Sequence, residues 1–374
     1  MNYSYEGFKR DDGTAGTRNY VGIVSSVICS SAVVREISEK VSGTIPIVHA
    51  NGCAQLGDDL KLTKNMLVGM SANPNIHSAL LVGLGCETNQ VSGLLKQIPK
   101  TKPIKGIGIQ QLAGGTNTVQ KGISIAEKWA EEAMEQERTK LSLSSLTVGV
   151  LNVDADHDSL TETGPVIGNV VNRLVENDAN VIMGLSKTLA PAGLLLSERM
   201  VDITEKEKMI STSKGLNRLR WKDPTIEDTN GNEYTEEQTN LAVLESEMTG
   251  SVPINSILDY GEIPKENGLH LMKISSNIVE SLSKMASSGC NIVLVVSKRG
   301  VLTGSIALPC MTVTPQSNKG SFDELIDYTI KGSNVHQESE RIIEELLEVC
   351  SGKQTEVEML ELGEFSIPHL GTTY

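Results

Sequence analysis

Along the first half of the chain, short apolar runs ending in small or polar residues alternate with segments whose apolar positions recur at helical spacing. This alternation predicts repeated βα units. Strands are expected over 21–28, 45–49, 79–84, 104–109, 146–153 and 180–185, and helices over 32–41, 59–70, 91–98, 119–138 and 166–177. The strands are apolar almost without interruption, the pattern of parallel strands covered by helices on both faces. From 191 to 268 the sequence turns polar and charge-rich, with helical segments at 205–220 and 234–248 separated by the turn signals Asp223-Pro224 and Asn230-Gly231. The βα pattern then resumes with a strand at 269–274, a helix near 277–287 and the most apolar strand at 291–296. Helices at 321–330 and 335–350 and a last strand at 356–360 follow. The fold class expected is α/β, with mostly parallel sheets carrying helices on both faces in a Rossmann-like manner. Its 374 residues divide into an N-terminal α/β domain over 1–190, a helical insertion over 191–268 and a C-terminal α/β domain over 269–374.

Composition narrows the function classes. Lys plus Arg at 33 against Asp plus Glu at 47 gives a net charge of −14, which opposes polyanions and excludes nucleic acid as an expected partner. With 2 Trp, 7 Tyr and 3 Phe, the chain has few stacking platforms for bases and no aromatic belt for a membrane interface. The uncharged stretch 21–34 is too short to span a bilayer, and 1–10 lacks an apolar signal region, so a soluble cytoplasmic protein without membrane contact is expected. Six widely spaced cysteines with no CxxC pair point to free thiols or metal ligands and not to a disulfide framework.

Ligands of open parallel sheets bind at the carboxyl ends of the strands, so the residues there carry the candidate chemistry. The first strand ends at Cys29-Ser30-Ser31, the second at His49-Ala50-Asn51-Gly52-Cys53 and the third at Gly83-Leu84-Gly85-Cys86-Glu87. Three thiols at successive strand ends, with His49 and Glu87 beside them, read either as buried small hydrophobes or as a soft-to-borderline metal site favouring iron or zinc. Gly114-Gly115-Thr116 opens a long helix, where free N–H groups suit a carboxylate or phosphate; the bland reading is a tight turn with a Thr cap. It lacks the spacing of a dinucleotide or P-loop motif, so no nucleotide cofactor is expected. Arg18, beside Asn19 ahead of the first strand, can clamp a carboxylate or make a salt bridge. The cluster Asp154-Ala155-Asp156-His157-Asp158 can supply a general base or bind a cation, or can merely cap the next helix. Lys298 and Arg299, after the most apolar strand, form a second candidate anion clamp.

The segments Gly7-Phe8-Lys9-Arg10-Asp11-Asp12-Gly13, Gly16-Thr17-Arg18-Asn19, Asn51-Gly52-Cys53, Gly83-Leu84-Gly85-Cys86-Glu87 and Gly114-Gly115-Thr116 resemble the altronate and galactarate dehydratase family, in particular its stand-alone large subunits such as that of sulfolactate sulfo-lyase. The resemblance implies a metal-dependent lyase that eliminates water or sulfite from a hydroxylated carboxylic acid to give a 2-keto acid. The metal implied is iron, as Fe2+ or an iron–sulfur centre. Cys29, Cys53 and Cys86 are then the metal candidates, His49, Glu87 and His157 the catalytic ones, and Arg18, Asn19, Asn51, Gly114, Gly115, Thr116, Lys298 and Arg299 the substrate-binding ones. A separate small β-rich subunit of SAF type and a homo-oligomeric assembly are the expected partners beside the hydroxy-acid substrate.

The second half departs from the family pattern. Gly-Gly-Ser-Asp is replaced by the Asp154–Asp158 cluster, Ser-Glu-Thr by Ser186-Lys187-Thr188, Met-Asp-Thr-Pro by Met272-Lys273-Ile274-Ser275 and Thr-Gly-Arg-Gly by Ser297-Lys298-Arg299-Gly300. Lys187 and Lys273 in place of acids make the site more positive. Either the substrate is different, extra negative charge being one way it can differ, or the chain is a non-catalytic paralogue that binds a small acid or a partner subunit.

Overall fold

The computed structural model describes residues 3–218, 234–317 and 322–369. The chain opens with β1 (Ser4–Lys9), β2 (Ala15–Gly16) and β3 (Tyr20–Ser25), then α1 (Ser31–Lys40), β4 (Thr44–Ile47), α2 (Gly57–Ala72), β5 (Ile76–Gly83), α3 (Val91–Leu95), β6 (Ile104–Gly108), α4 (Gly115–Glu135) and β7 (Thr139–Ser142). The second part runs β8 (Thr147–Asn152), α5 (His157–Glu176), β9 (Asn180–Leu185), α6 (Gly193–Ser197), α7 (Ile203–Arg218), α8 (Glu236–Ser246), β10 (Ile254–Leu258), β11 (Gly268–Lys273), α9 (Ile278–Ser287) and β12 (Ile292–Val296). It closes with β13 (Gly304–Ser305), β14 (Cys310–Thr314), β15 (Tyr328–Thr329), α10 (Val335–Cys350), α11 (Glu356–Met359) and β16 (Gly363–Glu364).

Two parallel sheets organise these elements. The smaller has the order β4-β3-β5-β6 and the larger β10-β11-β9-β8-β12-β14-β15. Their central strands are the continuous apolar runs of the sequence: all five residues of β12 are buried, as is all of β5 except His77. Each fully buried Val, Leu or Ile contributes roughly 1.5–3 kcal/mol, which fixes these strands between helical layers. A small antiparallel sheet, β2-β1-β7, receives the amino-terminal arm. Among the described residues no helix is long and apolar enough to cross a membrane.

The sheet boundary falls between β7 and β8 and not near residue 190. β8 and β9, expected to close the first domain, lie at the centre of the larger sheet. The region expected as a helical insertion belongs to the same unit: β10 is the outer strand beside β11, and α8 packs on α5. Two further expectations fail. The span 321–330 contains, over its described residues, a single 3-10 turn at Asp323–Leu325 and the short β15. The span 356–360 is helical, because Thr355 and Glu358 form a reciprocal capping box. Of the expected helix at 205–220 and the turn signals at 223–224 and 230–231, residues 219–233 lie outside the described ones.

The two units meet through a polar seam and a helix contact. Asn75 donates to the carbonyls of Asn291 and Ala307, each at 2.9 Å, and accepts the Thr17 N–H at 2.8 Å. Helix α2 packs on α9 so closely that a Cβ at Gly69 would stand 2.0 Å from the Ser287 carbonyl oxygen.

Candidate functional site

The carboxyl edge of the smaller sheet gathers the motifs of the first half. Cys29, Cys53 and Cys86 are exposed on the loops that follow the adjacent strands β3, β4 and β5. Those loops are tied to one another. The Ile28 N–H donates to the Asn51 carbonyl (3.0 Å), the Thr88 hydroxyl to the Cys53 carbonyl (2.6 Å) and the Ser26 hydroxyl to Glu87 Oε1 (3.1 Å). Gly114 and Gly115 start α4 after β6 on the same edge, with Gly114 at φ 128° as N-cap. Thr116, exposed in the first turn, does not cap the helix.

Several side chains on this half are committed elsewhere. His49 is buried; its Nδ1 accepts the Asn51 N–H (3.1 Å), so Nε2 carries the proton and donates to the Ser25 carbonyl (3.1 Å). Burial pushes its pKa down to about 4, against the raising effect of that hydrogen bond. It is therefore a neutral imidazole with both nitrogens engaged. Glu87 is buried and turned back on its own loop, accepting the Gly85 N–H (2.6 Å). The amide of Asn51 donates to Thr63 (2.9 Å). Arg18 is committed as well. Its guanidinium spends all its directions on Glu358 and on the carbonyls of Thr17, Val349 and Lys353, a clamp between the units that leaves no donor for a substrate. Asn19 lies at the amino end of β3, opposite the thiols, and donates to the Ala133 carbonyl (2.8 Å).

The thiols have the donor chemistry of a soft or borderline metal site, but among the described residues no three His, Cys, Asp or Glu side chains converge on one point. As placed, the thiols lie on neighbouring loops of one edge without converging, so an ion bound there would have to draw those loops together.

The larger sheet supplies a formed cavity. Its chain enters at the centre with β8, steps to β9, passes to the edge strand β10, fills in β11 between them, and then returns to lay β12, β14 and β15 on the other side. The loops after β8 and β12 therefore diverge and open a crevice at the topological switch point, where such sheets bind ligands. A cavity of about 560 Å³ lies there, lined among others by Asn152, Ser186, Lys187, Ser275, Ser297 and Arg299. Arg299 and Lys187 are exposed and have no ion-pair partner among the described residues. Lys273, at the end of β11, has its pKa lowered by burial and by Lys187.

The acidic cluster is mostly architectural. Asp154 takes the Lys298 N–H, and Asp156 caps α5 through the Ser159 N–H (3.1 Å) and pairs with Lys298 Nζ (3.0 Å). Lys298 is thus turned to the cap, while Arg299 faces the cavity. His157 is exposed in the first turn of α5, 3.6 Å from Asp158, and is not among the residues lining the cavity. The residue that sequence reasoning missed is Glu245, buried at 2% exposure and lining the cavity. Its only sequence signal is its position on a stripe with Ala242 and Thr249, the buried face of a segment that otherwise reads as polar.

Comparison with known proteins matches residues 7–134 to "D-galactarate dehydratase/Altronate hydrolase, second domain" and residues 143–373 to "D-galactarate/Altronate dehydratase, C-terminal". The gap between the matches falls at β7, where the sheets separate. The chain is 24% identical to an altronate dehydratase of Bacillus subtilis, covering 100% of this chain and 79% of the relative. It is 25% identical to the (2R)-sulfolactate sulfo-lyase subunit beta of Chromohalobacter salexigens, covering 98% and 97%. It is 24% identical to the L-threo-forming galactarate dehydratase of Escherichia coli, covering 94% and 73%.

Proposed function

Because the chain belongs to the D-galactarate/altronate dehydratase family, we propose that it is the large subunit of a lyase that eliminates water or sulfite from a hydroxylated carboxylic acid and leaves a 2-keto acid. The observation that carries this reading is the pair of unpartnered cations, Arg299 and Lys187, at a hydroxyl-lined cavity on the switch point of the larger sheet. An Arg can grip a carboxylate through two parallel hydrogen bonds. Once the C–H bond beside that carboxylate starts to break, charge flows onto its oxygens, and fixed cations there stabilise the enediolate more than the ground state. Asn152 and the serine hydroxyls offer donors and acceptors matched to substrate hydroxyls.

The test is a screen of aldonic, aldaric and sulfonated hydroxy acids for release of a 2-keto acid or sulfite, with and without a candidate small subunit. The subunit is proposed because one relative is itself a beta subunit. Arg299→Ala is expected to lower kcat/KM for the active acid by about 10²-fold or more. Release that Arg299→Ala leaves unchanged would place the chemistry elsewhere.

Iron is proposed separately, for the thiols of Cys29, Cys53 and Cys86. Anaerobically purified protein would then bind about one equivalent, lost in Cys53→Ala and Cys86→Ala. Less than about a tenth of an equivalent, unaltered by those changes, overturns the assignment. One observation favours a binding protein without turnover: the imidazole of His49 is locked neutral with both nitrogens engaged. No product release from any acid in the screen would support that reading.

A further inference from the structure

We propose that Glu245 is the proton-transfer residue of the switch-point cavity, an inference that rests on reading this cavity as the substrate site. The carboxylate belongs to the last turn of α8 and is held, among the described residues, by neutral groups. Oε1 accepts from Asn152 Nδ2 (3.0 Å) and from Ser186 Oγ (3.0 Å), and Oε2 shares the Ser186 hydroxyl at 3.1 Å. Both donors are themselves fixed. The Asn152 amide also donates to the Asp154 carbonyl (2.6 Å), and the Ser186 oxygen accepts the Leu189 N–H (2.9 Å), which directs its own proton to the carboxylate. Oε2 is therefore the less committed oxygen, on a carboxylate that neither Lys187 nor Arg299 pairs with.

Two carboxylates that serve architecture are paired with cations. Glu338, equally buried, pairs with Arg341, and Glu358 pairs with Arg18. Glu245 has no such cation among the described residues, and burial pushes its pKa up to about 7, the two hydrogen bonds lowering it less. A carboxyl poised there can both take and return a proton near neutrality. The other charged groups facing the cavity are Asp154, Lys187 and Arg299, with Lys273 beside Lys187.

For a hydroxyl leaving group the step balances without a further reactant. Oε2 takes the proton from the carbon next to the substrate carboxylate, and the C–H electron pair becomes the C=C bond. The C–O bond at the neighbouring carbon breaks, and the proton passes from Glu245 to the departing oxygen, releasing water. Glu245 returns to its carboxylate form, and the enol left behind tautomerises to the 2-keto acid.

The test uses the full chain and tartronate, a hydroxy dicarboxylate that has no neighbouring leaving group, by calorimetry in two buffers of different ionisation enthalpy. An anion bound beside Glu245 raises its pKa further, so roughly half a proton should be taken up per tartronate near pH 7 to 8, falling away by pH 5. Glu245→Gln should still bind tartronate with the uptake gone, while Arg299→Ala should lose binding. Uptake that persists in Glu245→Gln points to Lys273 or another group and overturns the proposal while leaving the site intact. Binding without uptake in the wild type does the same. Absence of tartronate binding by the wild type overturns the site reading and the proposal together. Should Glu245→Gln fail to fold, the wild-type pH profile decides: uptake that does not change from pH 5 to 8 excludes a carboxyl titrating near 7.

Discussion

At the scale of single residues, His49 and Glu245 show one physical cause acting with opposite signs. Burial disfavours the charged form, so it lowers the pKa of the imidazole to about 4 and raises that of the carboxyl to about 7. For His49 the folded value lies below the unfolded one of 6.5. Its contribution is fully present above that pH and is lost, by roughly 3 kcal/mol, as pH falls through 4. For Glu245 the folded value lies above the unfolded 4.5. Its contribution is fully present below that pH and is lost, again by roughly 3 kcal/mol, as pH rises through 7. Urea unfolding from pH 4 to 8 should show the wild type losing stability relative to Glu245→Gln as pH rises, and gaining it relative to His49→Gln. Matching pH dependence in all three proteins would mean that neither group is buried as described. Arg299 was legible in the sequence because two cations end the most apolar strand, yet nothing in that pattern separates it from Lys298. Only the cap at Asp156 decides that Lys298 turns away.

At the scale of elements, legibility followed how much of an element's identity is local. The central strands β3, β5, β8, β9 and β12 announce themselves by unbroken apolar runs, because each is buried on both faces. The strand β14, read as Cys-Met-Thr-Val-Thr, carries its polar residues inside the sheet and shows no such run. The span at 356–360 looked like a strand by composition, although Thr355 and Glu358 already carried the capping-box spacing that makes it α11. Sheet membership is not local at all: nothing in β8 or β9 tells which sheet they join, so the apolar pattern by itself does not mark the step from one sheet to the other. The same holds for the contact of α2 with α9, where Gly69 reads as an ordinary helix glycine. Gly69→Ala would set a methyl group against the Ser287 backbone, which cannot rotate away, and should cost about 1–3 kcal/mol with a lower Tm. Gly93→Ala in α3, with open space around its Cβ, is the matched control and should not lower stability. Equal Tm values for the two variants would remove Gly69 as a packing constraint.

At the scale of the whole molecule, a net charge of −14 is reconciled with an anionic substrate by locality. At physiological salt, fields fade over about 8 Å, so Arg299 and Lys187 act on a ligand in the cavity while distant acids do not. The charge that matters for the assembly is Arg18, expected as a substrate clamp and found instead joining the units: it grips Glu358 at 2.7 Å and the carbonyls of Val349 and Lys353, all from the carboxyl-terminal part. A buried ion pair owes little of its worth to attraction, because desolvating both charges costs nearly as much; removing one partner is what costs most. Arg18→Met alone should therefore lose about 3–5 kcal/mol, since it strands Glu358 and three carbonyl contacts. Glu358→Leu alone should also be costly, because it strands a guanidinium that is 8% exposed. The double variant removes both charges, so its loss should fall well short of the sum, a coupling of roughly 1–3 kcal/mol in a double-mutant cycle. Additive losses would mean that the two side chains do not act as one clamp, and that other contacts, among them the asparagine seam and the α2–α9 packing, hold the units.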